Sequence, residues 1–419
     1  MFHRRQLLSS LALPAANSLL GLREALEGAR GFDPEDERYW GEIGRAFSVD
    51  RGLINLNNGG VSPSPTYVQE AMKRRLDFSN EAPAYTMWRI LEPRIETVRA
   101  RIAALWDVDA EELAITRNAS ESLQICQFGI DLKAGDEVLA TTQDYPRMIT
   151  TFRQRERREG IRLRQFSIPT PCEDPQAIVR LYEEHVTEQT KLILVSHMVF
   201  LTGQILPVRE VAALGRRLGI PVIVDGAHAF AHFDFKLSDL ECDYYASSLH
   251  KWLFAPHGTG LLYVRRDKIA DLWPLMAASD EMSGDIRKFE EIGTHPAANR
   301  LAISEALHFH EELGPERKEA RLIELRDYWA NRLLEHDSVR LNTSLKEGFA
   351  CGIANVSIEG MDHRALADQL FRKHKILVVA IGHEECTGLR VSPSVYTTKR
   401  ELDRFCDAVE EAIKNGLDD

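Results

Sequence analysis

The sequence predicts an α/β fold, with a mostly parallel central sheet flanked by helices and a smaller α+β domain after it. Three observations carry this expectation. Between about residues 113 and 266, the short apolar runs "LAIT", "EVLATT", "LRQFSI", "KLILVSH", "PVIVDG" and "GLLYVRR" read as strands. Amphipathic stretches such as "SESLQICQFGI" and "VREVAALGRRLG" separate several of them, the alternation of parallel strands with crossover helices. Beyond the long helices expected over 301–336, strand-like segments ("GIANVSIEG", "ILVVAI", "GLRVS") mix with one last helix, which predicts a separate C-terminal unit.

The elements follow in order. "MFHRRQLLSSLALPAANSLLGL" sets His3, Arg4 and Arg5 before a modestly apolar run from Leu7 to Leu22, the charged and apolar regions of a leader. Arg4-Arg5 predicts a twin-arginine signal over residues 1–31 and a periplasmic location. An amphipathic first helix of a cytoplasmic protein is the other reading of these residues. Ser9, Ser10, Asn17 and Ser18 make the run too polar for a membrane span, so no integral membrane segment is expected after signal removal. Residues 32–63 form an N-terminal segment expected to pack with the small domain. It starts with a short surface helix in "GFDPEDERYWGEIGRAFSVD", and "GLINLNNGGVSPSP" then runs a short strand into an Asn-Gly-Gly turn. "TYVQEAMKRRLDF" and "RIETVRARIAALW" show helical spacing and open a large domain over 64–305. The small domain covers 306–419.

Composition excludes some partners. A net charge of −12 argues against nucleic acid, and the one basic cluster, Arg153 to Arg164, is interrupted by acids and reads as a solvated helix face. The six cysteines form no CxxC pair and no regular spacing, so neither a disulfide framework nor a metal centre is expected.

The chemistry concentrates after residue 221. Val222, Ile223 and Val224 deliver Asp225 to the C-terminal end of a strand, where ligands of such sheets bind. Gly226 and Ala227 turn the chain and present His228. Lys251 follows 26 residues after Asp225, in the largely apolar "YYASSLHKWLFAPHGTGLLYV". A partly buried lysine amine kept partly neutral is the kind that forms a Schiff base.

"VDGAH" followed by "SSLHKWL" resembles the pyridoxal-phosphate enzymes of fold type I, and within them the class V aminotransferase family. The resemblance is strongest to its isopenicillin N epimerase-like branch, with cysteine desulfurases more distant, and it runs from about Asn55 to Thr398. It implies that Lys251 carries the pyridoxal phosphate as a Schiff base and then moves protons at the substrate Cα. Asp225 would pair with the pyridine nitrogen and His228 with the phenolic oxygen. "LAITRNASESLQICQ" sets Asn118, Ala119 and Ser120 at a strand-to-helix junction, a ready anion site. By resemblance Ala119 and Ser120 hold the phosphate, joined by Ser248 and His250. Tyr145 in "TTQDYPRM" would stack on the ring, and Arg390 in "GLRVSPSVYTT" would grip the substrate carboxylate in its planar fork. Asn58 matches a segment that closes over the substrate. Gly293 and Thr294 would complete the neighbouring site of a homodimer.

Two departures weigh against a desulfurase. Phe200 stands where desulfurases carry an asparagine near the cofactor oxygen. Only three residues separate Cys386 from Arg390, too short a loop for a mobile nucleophile, and Glu385 matches the usual cysteine position better. A non-catalytic binding protein on this fold would be expected to lack the Schiff-base lysine. The reading is therefore an enzyme of epimerase, aminotransferase or tailoring type acting on an amino acid, an amino-acid derivative or a peptide, with cysteine desulfurase or C–S lyase as the alternative.

Overall fold

The computed structural model describes Ala25 and residues 27–29, 32–33 and 35–417. Arg4, Arg5 and most of the expected leader lie outside the described residues. Ala25 and Ala29 are buried against the large-domain core, so the folded part extends upstream of residue 32.

The N-terminal segment contributes helix Glu37–Gly44 and the two-residue strand β1 (Ile54–Asn55). The helix is not the surface element expected from its polar sequence. Tyr39, Trp40 and Ile43 are buried, because its few apolar residues fall on one face, and Glu37 pairs with the buried Arg321 of helix Pro315–Leu333.

The large domain is built on a seven-stranded sheet of β2 (Leu113–Thr116), β3 (Glu137–Thr141), β4 (Arg162–Phe166), β5 (Thr190–Ser196), β6 (Val222–Asp225), β7 (Tyr244–Ser248) and β8 (Gly260–Val264). Its spatial order is β2-β8-β7-β6-β5-β3-β4, and β8 alone runs against the others. Central strands β6, β7 and β8 are buried throughout, which is why they read as continuous apolar runs. Helices cover the faces. Val208–Leu218 buries Val208, Val211, Ala212, Leu214 and Gly215 at helical spacing. Each fully buried Val or Leu contributes roughly 1.5–3 kcal/mol.

The small domain has an antiparallel sheet of β9 (Val339–Leu341), β10 (Ala354–Ile358), β12 (Val379–His383) and β13 (Cys386–Val391), ordered β12-β13-β10-β9. Helices His363–His374 and Lys399–Asn415 pack on it, the latter started by a Thr398–Glu401 capping box. Strand β11 (Ile376–Leu377) pairs in parallel with β1 and ties the N-terminal segment to this domain. The two cores meet within helix Pro315–Leu333, where Leu322 packs into the large core and Leu325 into the small one. Helix Ala297–Leu313 packs wholly in the large core, so the packing boundary lies beyond residue 305.

Because β2, β5, β6 and β7 share a direction, their C-terminal residues Thr116, Ser196, Asp225 and Ser248 meet at one sheet edge. Ser196 lies opposite Asp225 in the ladder, and Gly260 at the start of β8 lies opposite both Thr116 and Ser248.

Candidate active site

That edge opens into a cavity of about 490 Å³ between the domains. It brings together Ala119, Ser120, Tyr145, Asp225, His228, Ser248, His250, Lys251 and Arg390 from the sequence reading.

Lys251 stands just beyond β7, with Nζ 3.1 Å from His228 Nε2. Burial lowers its pKa to about 8; the charge of Arg390 acts in the same direction, while Asp225 opposes it. At that value about a tenth of the amine is neutral at neutral pH, far more than for an ordinary lysine. His228 is held neutral by burial, and its Nδ1 is buried without a hydrogen-bond partner. Asp225 is buried at the end of β6, where desolvation raises its pKa against the Ala227 N–H donated at 3.0 Å and the charge of Lys251. A buried carboxylate with a single donor is incompletely satisfied and suits a cationic ring nitrogen.

The anion cradle forms at the start of helix Ala119–Gly129. Asn118 caps it by accepting the Glu121 N–H at 2.9 Å, and the Ala119 N–H donates to Ser248 Oγ at 2.9 Å. With its oxygen accepting, Ser248 keeps its proton to donate into the cavity. The chain comes close here, since a Cβ on Gly260 would lie 2.6 Å from Asn118 Cα. His250 Nδ1 lies 3.1 Å from the Thr259 carbonyl oxygen, and burial, with the Lys251 charge, lowers its pKa to about 4. A phosphate beside it would favour the imidazolium and raise that value.

Arg390 is buried on β13. It donates to the Phe200 carbonyl oxygen at 3.0 Å and to Asn57 Oδ1 at 3.1 Å, while its Nε has no partner. Burial lowers its pKa to about 10. Phe200 lines the cavity where an amide side chain was the alternative, and it meets Tyr145 edge-on with ring centroids 5.3 Å apart.

The structure does not bring Asn58 to this cavity. Its side chain is buried, donates to the Asn55 and Ser392 carbonyl oxygens and accepts the Tyr396 hydroxyl at 2.6 Å, so it is consumed by structure. The functional neighbour is Asn57, with Gly59 and Gly60 at the wall. Alternation was the missed signal, since Leu56 and Asn58 point inward along the extended segment while Asn55 and Asn57 are less buried. Gly293 and Thr294 are exposed and outside this chain's cavity lining.

Sequence reasoning also missed Asp144. It is buried, accepts from Ser196 Oγ at 2.7 Å and from the Thr141 N–H and hydroxyl, and so fixes the turn that presents Tyr145. Desolvation raises its pKa to about 6. Behind the site, Lys318 donates to the Trp252 carbonyl oxygen and lies 4.4 Å from the Phe254 ring centroid, bracing the turn that carries Lys251.

Cys386 is buried on β13, its thiol pKa raised to about 12 by burial, and it does not line the cavity. Glu385 accepts from Thr142 Oγ1 and Gln143 Nε2, which pins this loop to the large domain. Among the described residues, no cluster of His, Cys, Asp and Glu is arranged to hold a metal ion, and no helix is long and apolar enough to cross a membrane.

The sequence profile of the aminotransferase class-V family matches residues 54–405. The chain belongs to the class V aminotransferase family. It is 30% identical to isopenicillin N epimerase of Streptomyces clavuligerus, over 88% of this chain and 98% of the relative. It is 24% identical to a probable cysteine desulfurase of Synechocystis, covering 88% and 92%. In structure it is similar to the cysteine desulfurase CsdA of Escherichia coli, with a TM-score of 0.77, 20% identity, and coverage of 91% and 99%. It is also similar to the cystine C–S lyase C-DES, with a TM-score of 0.76, 24% identity, and coverage of 85% and 97%. These likenesses place the fold in type I. The cofactor of this class V family protein is pyridoxal phosphate, and the residues present fit it. The unpartnered His228 Nδ1, the singly bonded Asp225 and the helix N-terminus with the free Ser248 proton match a phenolic oxygen, a ring nitrogen and a phosphate in turn. Lys251 supplies the amine for covalent attachment.

Proposed function

We propose that this protein moves a proton at the Cα of an α-amino acid or amino-acid-derived substrate, as an epimerase-type enzyme. The observation that carries the reading is the Lys251–His228 pair, an amine of lowered pKa 3.1 Å from a neutral imidazole at the strand edge. Bound pyridoxal phosphate supplies an electron-withdrawing ring that delocalises charge released at Cα. Arg390 holds the α-carboxylate, and its fixed fork sets which Cα bond faces Lys251. With its pKa near 8, Lys251 is able both to take and to return that proton near neutral pH. Against a cysteine desulfurase, the six cysteines are all buried and none lines the cavity.

Heavy-water incubation of the loaded enzyme with L- and D-amino acids tests the reading. Expected are deuterium at Cα and conversion between configurations, followed by NMR and chiral chromatography. Accumulation of a 2-oxo acid, or release of sulfide or ammonia without inversion, overturns it in favour of transamination or elimination.

The enzyme acts as a homodimer in which Gly293 and Thr294 complete the partner site, which the exposure of both residues supports. Exposed Trp88, Trp273 and Met276 supply apolar surface for such contact. The chain is exported to the periplasm through Arg4-Arg5.

A further inference from the structure

The β12–β13 hairpin reaches from the small domain to the loop in front of Tyr145. Its turn is Glu384 and Glu385, set between the paired His383 and Cys386, and β13 goes on to carry Arg390. Glu385 spends both oxygens on that loop, accepting the Thr142 hydroxyl at 2.5 Å and the Gln143 amide at 2.8 Å. His383 accepts the Glu385 N–H on Nδ1 at 3.2 Å, which leaves its Nε2 protonated to donate to the Thr142 carbonyl oxygen at 3.1 Å. Burial pushes the Glu385 carboxyl up, but hydrogen bonds from Thr142, Gln143 and Ser167 outweigh it and hold the group below the usual carboxylate range. The donors therefore meet an ionised acceptor, which makes such bonds roughly twice as strong as neutral ones.

Tyr145 itself has few holds. Its side chain is 41% exposed, and its one aromatic contact among the described residues is Phe200. It begins helix Pro146–Glu159 without a side-chain cap. The preceding loop is fixed within the large domain by Asp144, which accepts from Ser196 and Thr141. The hairpin tip fixes it from the opposite domain. Glu385 does not line the cavity, so it touches no ligand there and acts through the two residues that precede Asp144 and Tyr145.

We propose that Glu385 is a positioning residue of the active site, which aims the Tyr145 ring at the cofactor by holding Thr142 and Gln143 from the small domain. This rests on the reading of Tyr145 as the aromatic that stacks on the pyridoxal phosphate ring. The hairpin thereby serves two walls of the cavity at once, Arg390 along its strand and Tyr145 at its tip.

The test is a double-mutant cycle on cofactor-loaded protein, read by visible circular dichroism of the bound pyridoxal phosphate and by its rate of release on dialysis. Tyr145→Ala should alter the dichroic band and speed release. Glu385→Ala should alter the band in the same sense and release cofactor roughly 10-fold faster, the loss of one hydrogen bond to a charged group. Glu385→Gln, which keeps one acceptor oxygen, should recover part of both. In the Tyr145→Ala background, Glu385→Ala should add less than about twofold, since residues acting through one another are not additive. Thr142→Val removes one donor to the same carboxylate at nearly equal volume, should reproduce the altered band, and decides the matter if Glu385→Ala fails to fold. Full additivity of Tyr145→Ala and Glu385→Ala overturns the proposal, as does a wild-type band in Glu385→Ala or in Thr142→Val. A wild-type band in Tyr145→Ala overturns the stacking reading itself, and this proposal falls with it.

Discussion

The chemistry of single residues turns on which groups are left unsatisfied. Lys251 is kept partly neutral mainly by burial, so its capture of an aldehyde should accelerate as pH rises through about 8 and then level off. Stopped-flow addition of pyridoxal phosphate to apoprotein checks this, and Lys251→Ala should show no covalent phase. Asn57 offers a second check. Asn57→Ala removes one of the two groups that orient Arg390, so the substrate KM should rise about tenfold, the loss of one hydrogen bond to a charge, while cofactor retention stays intact. The neighbouring pair shows where sequence reading runs out. The "LNNGG" stretch marked the right loop, but choosing between Asn57 and Asn58 required knowing which face of the extended segment is buried. Asp225, His228, Ser248 and Lys251 were legible because fixed spacing at two strand ends fixes their place. Asp144 and the Phe200 carbonyl were not, since each acts through a contact distant in sequence.

At the level of elements, the site depends on strand ends and helix starts that approach closely. Gly260→Ala would drive a Cβ to 2.6 Å from the Asn118 backbone, with overpacking costing about 1–3 kcal/mol. Cofactor affinity should fall with it, because the same backbone opens the anion cradle; urea denaturation and cofactor dialysis measure the two effects. Lys318 braces the Lys251 turn from a different helix. Burial lowers its pKa to about 7 from an ordinary 10.5, so between those values the native chain binds fewer protons than the unfolded one. Stability from this group therefore rises with pH across that window and is lost as pH falls through it. In Lys318→Met, the gain between about pH 7 and pH 9 should shrink by about 1–2 kcal/mol relative to wild type. An unchanged slope would show that another group sets it. The parallel sheet and its flanking helices were readable from alternation alone. Helix Glu37–Gly44 was misjudged as surface, because its buried stripe is only three apolar residues wide.

For the whole molecule, the two cores divide inside one helix rather than at a loop, which composition does not signal. The proposed dimer predicts that mixing Lys251→Ala and Thr294→Ala chains restores one functional site per mixed pair. Activity above that of either variant alone would register it, and none above the stronger variant would refute shared sites. The export proposal is checked by fractionating cells that express the native chain or an Arg4→Lys, Arg5→Lys version. Periplasmic recovery of the native chain alone is expected.

The joint at Arg390 has an evolutionary consequence. One of its contacts, the Phe200 carbonyl, belongs to the large domain, and the other, Asn57, follows the strand stitched to the small domain through β11. A mutation that loosens the carboxylate grip also loosens the seam between the two bodies, so selection acts on both at once.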